Sequence, residues 1–284
     1  MVKGWRQRRG GVGDTARTPT GGEVLAIVSG KGGVGKTNLA VNLGIQLSRY
    51  GSRVVLLDAD FGLANADILL NLSPLGDVSD LLDGRRSLDD LLVDGPEGLR
   101  VVCGVSGFTR NGNPCEFDPS ACLRALRRLD GACDVLLIDC PAGVAPPVAA
   151  YALSADRLIV VTTPEPTALA DAYATLKMLH RGGFCGRAGV IVNMVRSRDE
   201  ARSAWSRLQR AAERFLGLSL QDLGAVPLDR HVVKAVRERV PVVVRYPHCS
   251  ASSCISDICR KIAPPGVAGG RPAGLWTRVA SVFL

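Results

Sequence analysis

The run Gly30-Lys31-Gly32-Gly33-Val34-Gly35-Lys36-Thr37 constrains this chain more than any other stretch. It fits the pattern G-x-x-x-x-G-K-[ST], which forms a site only when a buried strand feeds it and a helix leaves it. Both are predicted here. Val24-Leu25-Ala26-Ile27-Val28-Ser29 is a short apolar run of the kind covered on both faces, and Asn38 to Tyr50 has helical periodicity. In such a loop, glycines let backbone N–H groups close on phosphate oxygens, and the helix N-terminus adds partial positive charge. The candidate phosphate-binding residues are therefore Gly30, Lys31, Gly32, Gly33, Val34, Gly35, Lys36, Thr37 and Asn38. Lys36 is expected to reach the β- and γ-phosphates, and the Thr37 hydroxyl to ligate Mg²⁺.

The second lysine, Lys31, stands just before Gly32-Gly33 in a site that Lys36 already serves. It is read as a charge supplied in trans, across a two-fold axis, to the phosphates of a facing subunit.

Further short apolar runs fall at 53–57, 99–103, 134–138, 157–162, 189–194 and 223–227, with helical patterns at 36–50, 119–129, 167–180, 199–216 and 249–262. Strands alternating with helices predict an α/β fold: a doubly wound, mostly parallel sheet of about seven or eight strands flanked by helices. Ligands then bind at the carboxyl ends of the strands.

Those ends carry the remaining site residues. After Val54-Val55-Leu56-Leu57 come Asp58 and Asp60, which strand alternation puts on one side. Asp58 is assigned to the Mg²⁺ shell, and Asp60 both to that shell and to orienting the attacking water. After Val135-Leu136-Leu137-Ile138 comes Asp139, expected to bind Mg²⁺ through water, then Gly143, whose N–H is expected to meet the γ-phosphate. The amide of Asn193 suits the edge of adenine, and Pro227 and Asp229 end the next strand, where they would line the base. The chain has no N-K-x-D motif, so ATP is favoured over GTP. Hydrolysis by the isolated chain is expected to be slow, since neither a strong base nor an arginine finger in cis is evident.

Composition sets outer limits. A chain of 284 residues suits one large core, and a net charge of +8 allows anionic partners: nucleotide, acidic membrane or nucleic acid. No apolar run reaches the ~18 residues of a membrane span, and the basic start Met1 to Arg9 lacks an apolar core, so a cytoplasmic protein is expected. The nine cysteines include no C-x-x-C pair. In the tract His248-Cys249, Cys254, Cys259, a step of five residues turns a helix by roughly 140°, so the three sulfurs do not share a face. Neither a metal cluster on those cysteines nor a disulfide framework is expected.

The loop with its two lysines resembles the deviant Walker A group of the MinD/ParA superfamily. Leu56-Leu57-Asp58-Ala59-Asp60-Phe61-Gly62-Leu63-Ala64-Asn65-Ala66-Asp67, the stretch Thr163-Pro164-Glu165-Pro166-Thr167-Ala168-Leu169-Ala170-Asp171-Ala172-Tyr173, and Tyr246-Pro247-His248 are similar to its flagellar-number regulator branch, FlhG (also FleN or YlxH). The resemblance covers residues 23–262. It implies a MinD-like ATPase that cycles between monomer and ATP-bound homodimer, stimulated by dimerisation or a partner, with Glu165 contacting the partner subunit's nucleotide. It also implies reversible attachment to the inner face of the cell membrane, with the flagellar GTPase FlhF and flagellar switch or basal-body components as partners. A ParA-type DNA- or cargo-partitioning ATPase, and a MinD-type division-site regulator, are the alternatives. Residues 1–22 read as a disordered basic arm without the Asp-Gln-Ala-containing activator segment of that branch.

Residues 263–274 read as a linker to a short helix, 275–284. On a helical projection Leu275, Trp276, Val279, Val282 and Phe283 fall within about 120°, opposite Thr277, Arg278 and Ser281. Such a face suits the interface of an anionic bilayer, and two tails on one dimer would bind more firmly than one.

Overall fold

The structure is a computed structural model and describes residues 22–60, 65–104, 109–110, 113–114, 119–129 and 132–263. The predicted N-terminal arm up to residue 21, the linker from 264 and the tail helix 275–284 lie outside the described residues.

In chain order the elements are β1 (Glu23–Ser29), α1 (Lys36–Arg49), β2 (Val54–Asp58), α2 (Ala66–Leu70), α3 (Val78–Leu82), α4 (Leu88–Leu91), β3 (Leu92–Asp94), β4 (Arg100–Val102), β5 (Thr109–Arg110) and β6 (Asn113–Pro114). They continue with α5 (Pro119–Ala125), β7 (Val135–Ala142), α6 (Pro146–Leu153), β8 (Arg157–Thr162), α7 (Pro166–Arg181), β9 (Arg187–Val195), α8 (Arg198–Leu216), β10 (Gln221–Pro227), α9 (Arg230–Glu238), α10 (Val242–Arg245) and α11 (Ser250–Ile262). The main sheet has eight strands in the order β10-β9-β8-β1-β7-β2-β4-β3. Every pairing in it is parallel except β3 with β4. The predicted doubly wound, mostly parallel α/β sheet of seven or eight strands is thus the observed architecture.

The core shows why the apolar runs lack alternation. In β1, Val24, Ala26 and Val28 pack into one layer, with Leu123, Tyr151, Leu176 and Leu208 from α5, α6, α7 and α8. Leu25 and Ile27 pack into the other, with Leu43 from α1 and Ile255 and Ile258 from α11. A strand with helices on both sides must be apolar at every position. Full burial of each such side chain stabilises by roughly 1.5–3 kcal/mol.

Two differences from the sequence reading bear on the site. First, β7 does not stop before Asp139. It runs through Ala142 because β1 keeps pairing with it, Ile27 opposite Asp139 and then Ser29 opposite Ala142 after a register shift. Second, β2 ends at Asp58, so strand alternation does not extend to Asp60. Asp60 is set instead by a tight turn in which its own N–H donates to Asp58 Oδ1 at 3.1 Å.

Candidate nucleotide site

The loop leaves β1 at Ser29, whose hydroxyl donates to the Lys31 carbonyl at 3.1 Å. Gly35 is the N-cap of α1 with φ of 86°, a left-handed backbone that favours glycine. Space demands glycine there too: a Cβ would lie 2.4 Å from Asn193 Nδ2. The first turn of α1 has neither a capping side chain nor an acidic residue. Its N-terminal N–H groups and dipole therefore face the loop without an internal anion.

Lys36 Nζ donates to Asp139 Oδ1 at 2.7 Å, with 6% of the lysine side chain and none of the aspartate exposed. Burial alone would lower the lysine pKa. The Asp139 charge and hydrogen bond outweigh it and hold the ammonium above its ordinary range. Asp58 lies beside Asp139 in register across β2 and β7. Burial, then the Asp139 charge, pushes the Asp58 carboxyl up to about 6, although it accepts N–H bonds from Asp60, Asn65 and Ala66. Asp60 is also raised, first by burial and then by Asp139, against the opposing pull of Lys36. Asp139 thus holds the ammonium, with Asp60 in its electrostatic reach and Asp58 crowded against Asp139.

Asp139 Oδ2 is buried without a hydrogen-bond partner. A buried carboxylate oxygen left unpaired carries a large desolvation cost and points to a missing donor or cation. Asp58, Asp60 and Asp139, with Thr37 at the start of α1, each offer oxygen, and that donor chemistry fits Mg²⁺.

Lys31 is one-third exposed, and its Nζ lies 2.6 Å from Glu165 Oε2 and 3.3 Å from Thr167 Oγ1. Lys31 and Glu165, each expected to reach a partner's nucleotide, hold each other within one chain. Thr167, which the sequence reading did not single out, joins them from the same Pro-Glu-Pro-Thr stretch as Glu165.

The Gly143 N–H, which the sequence reading aims at the γ-phosphate, here donates to the Ser29 carbonyl at 2.8 Å, because β1 and β7 remain paired past Asp139. Its φ of 96° keeps glycine necessary at this bend. Asn193 is buried, and its Nδ2 donates to the Val34 carbonyl at 2.8 Å. One amide hydrogen and Oδ1 remain for a base. Pro227 ends β10, as expected. The Asp229 carboxylate is engaged by protein: Oδ1 accepts from the His231 N–H at 2.9 Å and lies 2.8 Å from His231 Nδ1, and Oδ2 accepts from the Ala251 N–H at 3.2 Å. Asp229 caps α9 and ties it to α11.

The description "CobQ/CobB/MinD/ParA nucleotide binding domain" fits residues 25–242 of the chain. The chain belongs to this family. As a MinD/ParA protein it is 38% identical over 240 residues to the antiactivator FleN of Pseudomonas aeruginosa, covering 84% of this chain and 86% of that one. It is 31% identical over 223 residues to the flagellum site-determining protein YlxH of Helicobacter pylori, 76% and 73% of the two chains. Its structure matches the septum site-determining protein MinD complexed with Mg-ADP from Pyrococcus horikoshii with a TM-score of 0.74 at 25% identity, over 87% of this chain and 98% of that one. The fold is that of MinD-like P-loop nucleotide-binding proteins. Among the described residues no helix is long and apolar enough to cross a membrane.

Proposed function

We propose that this MinD/ParA protein is a Mg²⁺-dependent ATPase whose ATP-bound form is a homodimer. The dimer would attach to anionic membrane through Leu275–Leu284 and regulate flagellar number or placement. The observation that carries the reading is the buried Lys36–Asp139 pair with Asp58 and Asp60 beside it and Asp139 Oδ2 left without a partner. The flagellar assignment rests on the similarity to FleN and YlxH.

Residues of the chain divide the work as follows. The loop Gly30 to Thr37 and Asn38 cradle the phosphates with backbone N–H groups, and Lys36 moves from Asp139 to the β- and γ-phosphates. Thr37, Asp58, Asp60 and Asp139 would hold Mg²⁺, which neutralises charge developing on the phosphates. Asp60 orients the attacking water; a loose phosphoryl-transfer transition state needs this positioning more than a strong base. Lys31 leaves Glu165 and Thr167 and crosses to the partner's nucleotide, supplying charge that the monomer lacks. Glu165, freed, is then available to the partner's nucleotide as well. Asn193 and Pro227 receive the adenine. FlhF and flagellar switch or basal-body components are the partners that the flagellar reading implies.

Co-sedimentation with anionic vesicles tests it, comparing ATP with ADP for the full chain and for one ending before Leu275. Binding that needs both ATP and the tail supports the membrane-cycling switch. Binding in neither state removes the tail as an anchor.

One observation favours a second reading, a ParA-type ATPase on DNA. Arg202, Arg207, Arg210 and Arg214 are all exposed along α8, whose Ala204, Leu208 and Ala212 are buried. Sequence-independent DNA binding by the ATP form that weakens steeply with salt would support it.

A further inference from the structure

Outside the nucleotide site, one cluster combines three different metal-binding chemistries. Asp229 precedes α9, His231 lies in its first turn, and Cys249 caps α11. One ligand atom from each, a carboxylate oxygen, an imidazole nitrogen and the thiol sulfur, lie within 4.8 Å of one another. All three residues are partly buried. We propose that Asp229, His231 and Cys249 form a site for a borderline divalent transition metal, Zn²⁺ or its analogue Co²⁺, with water as fourth ligand.

The donor set argues for that class. Thiolate with imidazole selects Zn²⁺ or Co²⁺ over Mg²⁺ and Ca²⁺, which take oxygen ligands. Zn–S bonds of about 2.3 Å and Zn–N or Zn–O bonds of about 2.0–2.2 Å place tetrahedral donors roughly 3.3–3.7 Å apart. With all three ligand atoms within 4.8 Å of one another, side-chain rotation brings them to that spacing. The Asp229–His231 contact at 2.8 Å opens and the sulfur closes in.

Neighbouring groups already hold each donor in place. The Ala251 N–H fixes Asp229 Oδ2, and the Tyr246 ring lies against the His231 ring with centroids 4.9 Å apart. Cys249 Sγ accepts from the Ser252 N–H at 3.5 Å as the N-cap of the 13-residue α11. Supporting contacts of this kind orient metal ligands and raise affinity. Binding releases the thiol proton to solvent, and the imidazole, whose Nδ1–H faces Asp229 Oδ1 in the free protein, gives up that proton and takes one on Nε2 from water, so that Nδ1 ligates as the neutral Nε2–H tautomer. The ion would clasp the N-terminal ends of α9 and α11 together beside Pro227. The proposal does not depend on the ATPase reading.

The test uses the full chain, reduced and freed of metal with a chelator, without nucleotide. Zn²⁺ is titrated against a chromophoric chelator, and Co²⁺ supplies a spectrum. One equivalent of Zn²⁺, a thiolate-to-cobalt charge-transfer band, and affinity weaker by about 100-fold or more, beyond the loss of an outer-shell partner, in both Cys249→Ser and His231→Gln support the site. Cys185→Ser, which alters an exposed cysteine elsewhere, should bind like the unaltered chain. Peptide mapping of alkylated thiols needs no variant: Zn²⁺ should protect Cys249 and leave Cys185 reactive. Absence of the charge-transfer band, Zn²⁺ binding that both substitutions leave unchanged, or Cys249 alkylated equally with and without Zn²⁺ would overturn it.

Discussion

The Lys31 ammonium lies 2.6 Å from the Glu165 carboxylate and 3.3 Å from the Thr167 hydroxyl, across a sequence separation of 134 positions between the charged pair. The lysine is one-third exposed and the glutamate two-thirds, so solvent screens the pair and it contributes under ~1 kcal/mol to stability. A contact this weak orients Lys31 in the monomer and is easily exchanged for phosphate.

Lys31→Ala should therefore leave the nucleotide-free protein's unfolding free energy within ~1 kcal/mol of the unaltered chain, measured by urea titration. ATP binding should persist, while hydrolysis falls on the order of 10³-fold, the scale of a charge supplied in trans. Lost ATP binding in a folded variant would return Lys31 to its own subunit's site.

Lys36 behaves oppositely because it is buried. Lys36→Ala leaves Asp139 uncompensated beside Asp58, which should cost about 3–5 kcal/mol and abolish nucleotide binding. Adding Asp139→Asn should restore most of the stability and none of the binding. Urea midpoints paired with fluorescent-ATP titration separate the two effects, and an undisturbed midpoint in Lys36→Ala would contradict the buried-pair account.

Asp58 predicts a titration. Its folded pKa of about 6 lies above the ordinary value of 3.8, so the folded state binds the proton more tightly than the unfolded state. The resulting stabilisation is complete below about pH 4 and is lost as pH rises through about 6. Carboxyl ¹³C shifts should show the Asp58 midpoint near 6 without nucleotide, moving down when Mg²⁺-ATP supplies positive charge. A midpoint near 4 in the free protein would remove the crowding of Asp58 against Asp139.

Asn193→Ala removes the amide that ties β9 to the loop at Val34. Leaving the Val34 carbonyl unpaired costs roughly 1–3 kcal/mol, so ATP affinity should fall about tenfold. With the base placed against this amide as proposed, the preference for ATP over GTP should narrow in parallel titrations. An unchanged preference would leave Asn193 with the loop alone.

Much of this was legible in the sequence because the physics is local. β1 and β8 are buried on both faces, so unbroken apolar runs announce them, and the loop's glycines and lysines are spaced by backbone chemistry. Asp58, Asp60 and Asp139 follow such runs directly. What the sequence could not show is long-range. Asp139-Cys140-Pro141-Ala142 reads locally as a strand end, yet pairing with β1 keeps it in the sheet, and the Gly143 N–H is held by Ser29. Nothing local tells that the Asp229 carboxylate accepts from the His231 N–H and, 22 residues on, from the Ala251 N–H. The short elements α2, α3, α4, α6, α9, α10, β3, β5 and β6 went unpredicted, since four to nine residues in a helix, or two or three in a strand, give too little periodicity to distinguish.

The account's central claim is that ATP brings two copies together through Lys31. The most direct measurement is sedimentation velocity of Asp60→Ala, which should bind ATP and hold it, in Mg²⁺-ATP and in Mg²⁺-ADP. The account predicts a dimer with ATP, a monomer with ADP, and a monomer in both when Lys31→Ala is added. A monomer with bound ATP, or a dimer indifferent to Lys31, would contradict it.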